Sequence, residues 1–188
     1  AADALACDGW GKTSMLDTWR QHDDATYTKD GSFYSLKATK GADAVESAVF
    51  PLLARRDQGD WIQKLAGRTV TFGCWVYSVT ATDNVKLGIN DGSWNLSSFS
   101  GADAWEWIEI TETIDTSPSE VKFGLYLDGD TNDVAYFSQP MLVFGSSIGE
   151  GNYTRPQGEW VNLEARTQMF YDAESGDVAQ TTLNLEAA

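Results

Sequence analysis

Thr69-Val70-Thr71-Phe72-Gly73-Cys74-Trp75-Val76-Tyr77 alternates at every step. Val70, Phe72, Cys74 and Val76 fall on one side, and Thr71, Gly73, Trp75 and Tyr77 on the other. A period of two belongs to a strand with one face on a core. The same period recurs on both sides of this stretch. Val85, Leu87 and Ile89 oppose Lys86, Gly88 and Asn90. Ile108, Ile110 and Ile114 oppose Trp107, Glu109, Thr111 and Thr113. Val121, Phe123, Leu125 and Leu127 oppose Lys122, Gly124, Tyr126 and Asp128. Residues 33–39 and 45–50 read as one strand pair, and 134–137 and 141–144 as another. Turn residues separate the runs: Lys40-Gly41-Ala42-Asp43, Ala81-Thr82-Asp83-Asn84, Ser117-Pro118-Ser119 and Asp128-Gly129-Asp130. Only residues 58–65 suggest a helical turn. Many short strands between turns predict an all-β sandwich or barrel.

The chain has 188 residues and a formal charge of −15, from 13 Lys and Arg against 28 Asp and Glu. Its length fits one domain, and its 42% hydrophobic content excludes a disordered chain. The negative charge argues against nucleic-acid backbone and anionic lipid as partners. No apolar run is long enough to span a bilayer, so membrane insertion is not expected. The chain opens without Met or a basic leader, as expected of a processed chain or a piece of a longer one. After residue 145 the composition turns Gly- and Ser-rich. The apolar residues Trp160, Leu163, Met169, Phe170 and Tyr171 beyond it suggest a returning strand or a contact with a partner chain.

Catalytic chemistry finds little support. The lone histidine, His22, sits among Arg20, Gln21, Asp23 and Asp24 and reads as a solvated imidazole. Two cysteines and one histidine are too few for a Cys/His zinc site. Cys74 reads as a small hydrophobe. A Cys7–Cys74 disulfide and a pair of free thiols both fit, so cysteine usage leaves the compartment open. No carboxylate pair and no phosphate-binding glycine loop stands out. The expected protein is not an enzyme and needs no organic cofactor.

The side of the strands opposite the core offers more. Trp75, Tyr77, Lys86, Asn90, Trp107 and Tyr126 mix rings with amide and ammonium groups. Rings can stack on the C–H face of a sugar while polar neighbours bond its hydroxyls, a mixture that marks ligand sites in general. The Trp105-Glu106-Trp107 run sends both indoles to one face. Asp91-Gly92-Ser93-Trp94-Asn95 reads as a turn with Trp94 at its tip. The competing reading has these rings filling a second layer under long loops, or pairing across strands. The glycan reading requires rings open to solvent. Asp128, Asp130 and Asn132 place oxygens at alternate positions, as at the start of a calcium loop. However, Asp133 stands where an EF-hand needs Gly, and Gln139 where it needs Glu, so an acidic hairpin turn is the competing reading.

Tyr34-Ser35-Leu36-Lys37, with Leu65-Ala66-Gly67-Arg68-Thr69-Val70-Thr71-Phe72-Gly73-Cys74-Trp75-Val76, resembles the opening strands of carbohydrate-binding-module-like jelly rolls. Trp107-Ile108-Glu109-Ile110-Thr111 resembles a later strand of that family. Phe137-Ser138-Gln139-Pro140-Met141-Leu142-Val143-Phe144-Gly145-Ser146 resembles its closing strand. The resemblance covers about residues 5–157 and implies a jelly-roll β-sandwich over 1–157, with a C-terminal extension over 158–188. Arg155-Pro156-Gln157-Gly158-Glu159, followed by Arg166-Thr167-Gln168-Met169-Phe170-Tyr171, is similar to a segment of bacteriophage tail-fibre and tailspike proteins. Met169-Phe170 replaces the usual aromatic pair there. This likeness implies a receptor-binding virion domain that recognises a host-surface glycan, often as a trimer with other virion proteins. The alternatives are a module of a secreted polysaccharide-degrading enzyme or a structural virion decoration. Relatives attached to enzymes often hold a structural calcium through the N-terminal segment and closing-strand acids, where this chain has Ser138 and Gln139.

Overall fold

The computed structural model describes residues 10–12, 15–32, 34–42, 62–79, 85–97 and 103–152, with 4–5, 46–51 and 59–61 as backbone alone. The expected extension over 158–188 lies outside the described residues. The elements are β1 (Ala4–Leu5), β2 (Gly11–Lys12), β3 (Asp17–Gln21), β4 (Ser35–Thr39), β5 (Glu46–Pro51), α1 (Gly59–Leu65), β6 (Thr69–Ser78), β7 (Val85–Asn90), β8 (Trp94–Leu96), β9 (Trp105–Thr113), β10 (Lys122–Leu127) and β11 (Val134–Phe144). They form a jelly-roll β-sandwich of two antiparallel sheets. One sheet runs β1-β2-β5-β10-β7-β8 and the other β3-β4-β11-β6-β9.

The alternation places the core between the sheets. Val70, Phe72, Cys74 and Val76 of β6 are buried with Ala135 and Phe137 of β11 and Ile108 of β9. Val85, Leu87 and Ile89 of β7, with Phe123, Leu125 and Leu127 of β10, belong to the same cluster. Burial of such side chains is worth roughly 25 cal/mol per Å² and holds the two layers together. Cys74 is a free, buried thiol in this core, and Cys7, its candidate disulfide partner, lies outside the described residues. Burial pushes the Cys74 pKa far up, beyond what the hydrogen bond to the Ser138 carbonyl offsets, so it is no nucleophile.

Two expected strand pairs differ from the structure. Residues 33–39 and 45–50 do not pair: β4 lies between β3 and β11, whereas β5 lies between β2 and β10 in the other sheet. A turn between two runs is compatible with either a hairpin or a crossing between layers. Residues 134–137 and 141–144 are one strand, β11, broken by a bulge. Ser138 faces Trp75 and Met141 faces Gly73, so Gln139 and Pro140 together oppose Cys74. Pro140 has no N–H to give the ladder, and Gln139 takes a left-handed φ of 55°, which suits the extra residue of a bulge. β8 has only three residues, and β3 places the polar Thr18 and Arg20 on the side that pairs with Ala38 and Leu36, so neither shows a hydrophobic alternation in the sequence.

Candidate functional site

The seven candidate glycan contacts do not form one site. Trp75, Tyr77 and Trp107 project from the outer face of the five-stranded sheet, through β6 and β9. Lys86, Asn90, Trp94 and Tyr126 belong to β7, β8 and β10 of the six-stranded sheet, on the opposite side of the sandwich. Alternation separates core from outside but does not say to which sheet a strand belongs.

On the six-stranded sheet the candidates are engaged within the protein. Trp94 is not at a loop tip. It lies in β8 and folds back over the sheet, against the paired Gly88 and Gly124. A β-carbon on Gly124 would stand 3.1 Å from the Trp94 ring and 2.5 Å from Tyr126 Cε2, so only glycine admits the rings this close. Trp94 meets Tyr126 edge-on, with centroids 5.0 Å apart, and Tyr126 is 6% exposed. The buried Asn90 accepts a hydrogen bond from the Gly92 N–H at 3.1 Å, closing the β7–β8 turn. Lys86 pairs with Asp128 at 2.9 Å.

That ion pair occupies the first residue of the supposed calcium loop. The Asp130 N–H donates to Asp133 at 2.8 Å, and the Asn132 N–H donates to the Lys40 carbonyl at 2.8 Å with φ 76°. The segment is built as an acidic turn fastened to the end of β4. Among the described residues, no group of three or more His, Cys, Asp or Glu could hold a metal ion. The calcium implied by the resemblance does not fit the closing strand either. Gln139 directs an amide N–H donor at the Asp30 carbonyl (2.9 Å) and the Ser32 hydroxyl (3.0 Å), while Ser138 donates to Ser32 at 3.0 Å. An amide nitrogen already fills this group of oxygens.

The outer face of the five-stranded sheet is richer. Tyr136 of β11 stands opposite Tyr77, which stands opposite Trp105, and Trp75 stands opposite Trp107. Trp75 and Trp107 meet edge-on at 5.8 Å, and Tyr77 and Trp105 at 5.7 Å. These rings point away from the core, yet Trp75 is only 8% and Tyr77 only 6% exposed. The expectation of solvent-facing rings therefore fails for Trp75, Tyr77 and Tyr126, because a second layer covers them. Over β6 and β11 this layer is the loop between β3 and β4. Its Tyr27 stacks on Tyr136 with centroids 4.4 Å apart and planes 7° from parallel, and it meets Tyr77 edge-on at 5.3 Å. Lys29 Nζ lies 3.9 Å above the Trp75 ring. The Trp105 indole N–H donates to the Thr26 carbonyl at 3.0 Å and ties the loop to β9. Burial first, then the Asp103 charge, raises the Tyr77 pKa; burial, then Tyr27 and Asp24, raises that of Tyr136.

Over the other half of the face runs the chain after β11. Gly145 turns it back with φ 135°; Thr71 donates to the Gly145 carbonyl at 2.7 Å and Thr111 to the Ser146 carbonyl at 3.1 Å. Glu109 then receives four donors. Oε2 accepts from the Trp107 indole (3.1 Å), the Ile148 N–H (3.1 Å) and the Gly149 N–H (3.0 Å), and Oε1 accepts from Ser147 (2.7 Å). Burial pushes the Glu109 carboxyl up, but the four donors together outweigh it and hold its pKa below the usual value. The strap seats Ile148 and Trp107 over Gly73, where a β-carbon would stand 2.3 Å from Trp107 Cζ2.

Trp105 and Trp107 keep part of their surface in water, as do Tyr27 and Lys29. Sequence reasoning missed Tyr27, Lys29 and Tyr136, and it did not give Glu109 its part. Tyr136 alternates with Phe137 and was legible in principle. Tyr27 and Lys29 lie in a loop, where no period identifies a face.

No protein-family model matches the chain, and no curated protein sequence does. Solved structures do match. The CBM22-1 xylan-binding domain of Paenibacillus barcinonensis Xyn10C aligns over 77% of this chain and 91% of its own, with a TM-score of 0.53 and 11% identity. The C-terminal family 22 carbohydrate-binding module of Clostridium thermocellum Xyn10B aligns over 77% and 91%, with a TM-score of 0.55 and 13% identity. The enzymatically active domain of bacteriophage CBA120 tailspike protein 4 aligns over 73% and 19%, at 9% identity and a TM-score of 0.49, too distant to carry weight. The fold is thus that of carbohydrate-binding-module jelly rolls.

Proposed function

We propose that this chain is a non-catalytic glycan-binding module whose ligand lies on the outer face of the five-stranded sheet, and that it serves as the host receptor-binding domain of a phage tail fibre or related virion protein. The observation that carries the site is the two-layered aromatic array, in which part-exposed Trp105, Trp107 and Tyr27 rest on buried Trp75, Tyr77 and Tyr136. Backing rings fix the outer rings before any ligand arrives, which lowers the ordering cost of binding. Lys29 supplies N–H donors beside them. Of the original candidates, Trp75, Tyr77 and Trp107 belong to this site, with the first two as its floor. Lys86, Asn90, Trp94 and Tyr126 are assigned to the structure of the opposite face.

The virion reading is supported by the likeness of Arg155–Tyr171 to tail-fibre sequences, and it implies a trimer on an extracellular particle. Several copies would raise the avidity of a shallow site. A module of a secreted polysaccharide-degrading enzyme would share the fold and the site but act as a monomer.

A glycan array probed with the wild type, Trp105→Ala and Trp107→Ala, together with a mass by light scattering, tests both parts. Binding lost in either variant while the fold is retained is expected, with a trimeric mass. Binding unchanged in both variants would remove this face from consideration. A monomeric mass would favour the enzyme-attached module.

A further inference from the structure

We propose that the glycan track extends across the whole sheet to Trp19, so that the preferred ligand is the interior of a polymer and not a terminal sugar. This rests on the glycan-binding reading above. The register sets a row of partners straight across the outer face: Trp19 opposite Lys37, Lys37 opposite Tyr136, Tyr136 opposite Tyr77, and Tyr77 opposite Trp105. Directly paired residues share a face, so Trp19 and Trp105 look the same way from the two edges of the sheet. Four strand spacings separate them, about 19 Å. A disaccharide cannot cover that distance, whereas an oligosaccharide can.

Trp19 is 61% exposed on the edge strand β3, a large ring left in water. Tyr27, stacked on Tyr136, lifts the middle of the row towards solvent. The three outer rings therefore recur along one line. Lys37 lies between Trp19 and Tyr136 and forms no ion pair among the described residues, which leaves its ammonium to donate to sugar hydroxyls. A protein partner suits this strip poorly. Asp17 and Gln21 flank Trp19 on the same face, whereas a stable protein interface needs a continuous patch of about 800 Å² on each side.

The test uses an array of immobilised microbial and plant polysaccharides, printed beside size-graded oligosaccharides from mono- to decasaccharide. Wild type, Trp19→Ala and Trp105→Ala are compared, with the mass of each by light scattering. The wild-type signal is expected to climb with chain length. Trp19→Ala should lose about tenfold on long chains, the usual consequence of truncating one aromatic anchor, and with it the last part of that climb. Long chains bound equally by Trp19→Ala and wild type, but lost by Trp105→Ala, would overturn the extended track and leave the glycan reading standing. A wild type that binds no glycan at all removes both. A Trp19→Ala protein that falls apart into smaller oligomers with its glycan binding intact would make Trp19 a subunit contact and overturn the proposal.

Discussion

Replacing Glu109 by Gln should loosen the strap that seats Trp107, and the loss should depend on pH. Four donors converge on this carboxylate, three of them on Oε2. Gln keeps one acceptor for those three and removes the charge. A hydrogen bond to a charged group is worth about 1.5–3 kcal/mol net and a neutral one about 0.5–1.5 kcal/mol. The difference per bond is reduced further because Glu109 is partly exposed and screened by water. The net cost of Glu109→Gln is thus about 1–2 kcal/mol at neutral pH. Glu109→Ala leaves all four donors without their acceptor and should cost more, about 2–4 kcal/mol. The folded pKa is depressed below 4.5. The carboxylate therefore contributes its stability in full above that unfolded value, and the contribution is lost as pH falls through the folded value. Urea unfolding of wild type and Glu109→Gln at pH 7 and at pH 3 reads this directly. The gap in stability should be largest at pH 7 and narrow in acid. A gap of equal size at both values would refute the assignment of the strap to carboxylate charge.

Two further perturbations follow from the same face. Gly73→Ala would put a β-carbon 2.3 Å from Trp107 and 3.0 Å from Ile148, so ring and strap must shift. A loss of about 1–3 kcal/mol is expected in urea unfolding, with weaker glycan binding, as overpacking a close contact commonly brings. Gln139→Ala should lower the melting temperature by about 3–6 °C through loss of the bonds to Asp30 and Ser32. The wild type should melt at one temperature with added calcium or with chelator; a rise with calcium would show that the amide does not fill the place of the cation.

Period-two patterning over 69–77, 85–90, 107–113 and 121–128 determined the strands, their core faces and the class of fold. It could do so because burial on one side of a pleated strand is a local property of every second residue. Which strands share a sheet was not legible. β4 and β5 are neighbours in sequence yet lie in opposite layers, and β3 has polar Thr18 and Arg20 where an alternating strand would show apolar residues. Sheet membership depends on pairing between residues far apart in the chain, which no local period records. The sequence reading accordingly gathered onto one face residues that the sandwich separates, with Trp75, Tyr77 and Trp107 on one side and Lys86, Asn90, Trp94 and Tyr126 on the other. Nor could alternation tell an outward ring from an exposed one. Trp75 and Tyr77 do point away from the core, but Tyr27 and Lys29 arrive from a segment without periodicity and cover them, as Ile148 covers Gly73 beside them. Sequence alone determined which way each side chain leaves its strand; only the tertiary structure decided what lies on top of it, because that cover is built by loops whose positions are set by distant hydrogen bonds at Gln139, Trp105 and Glu109.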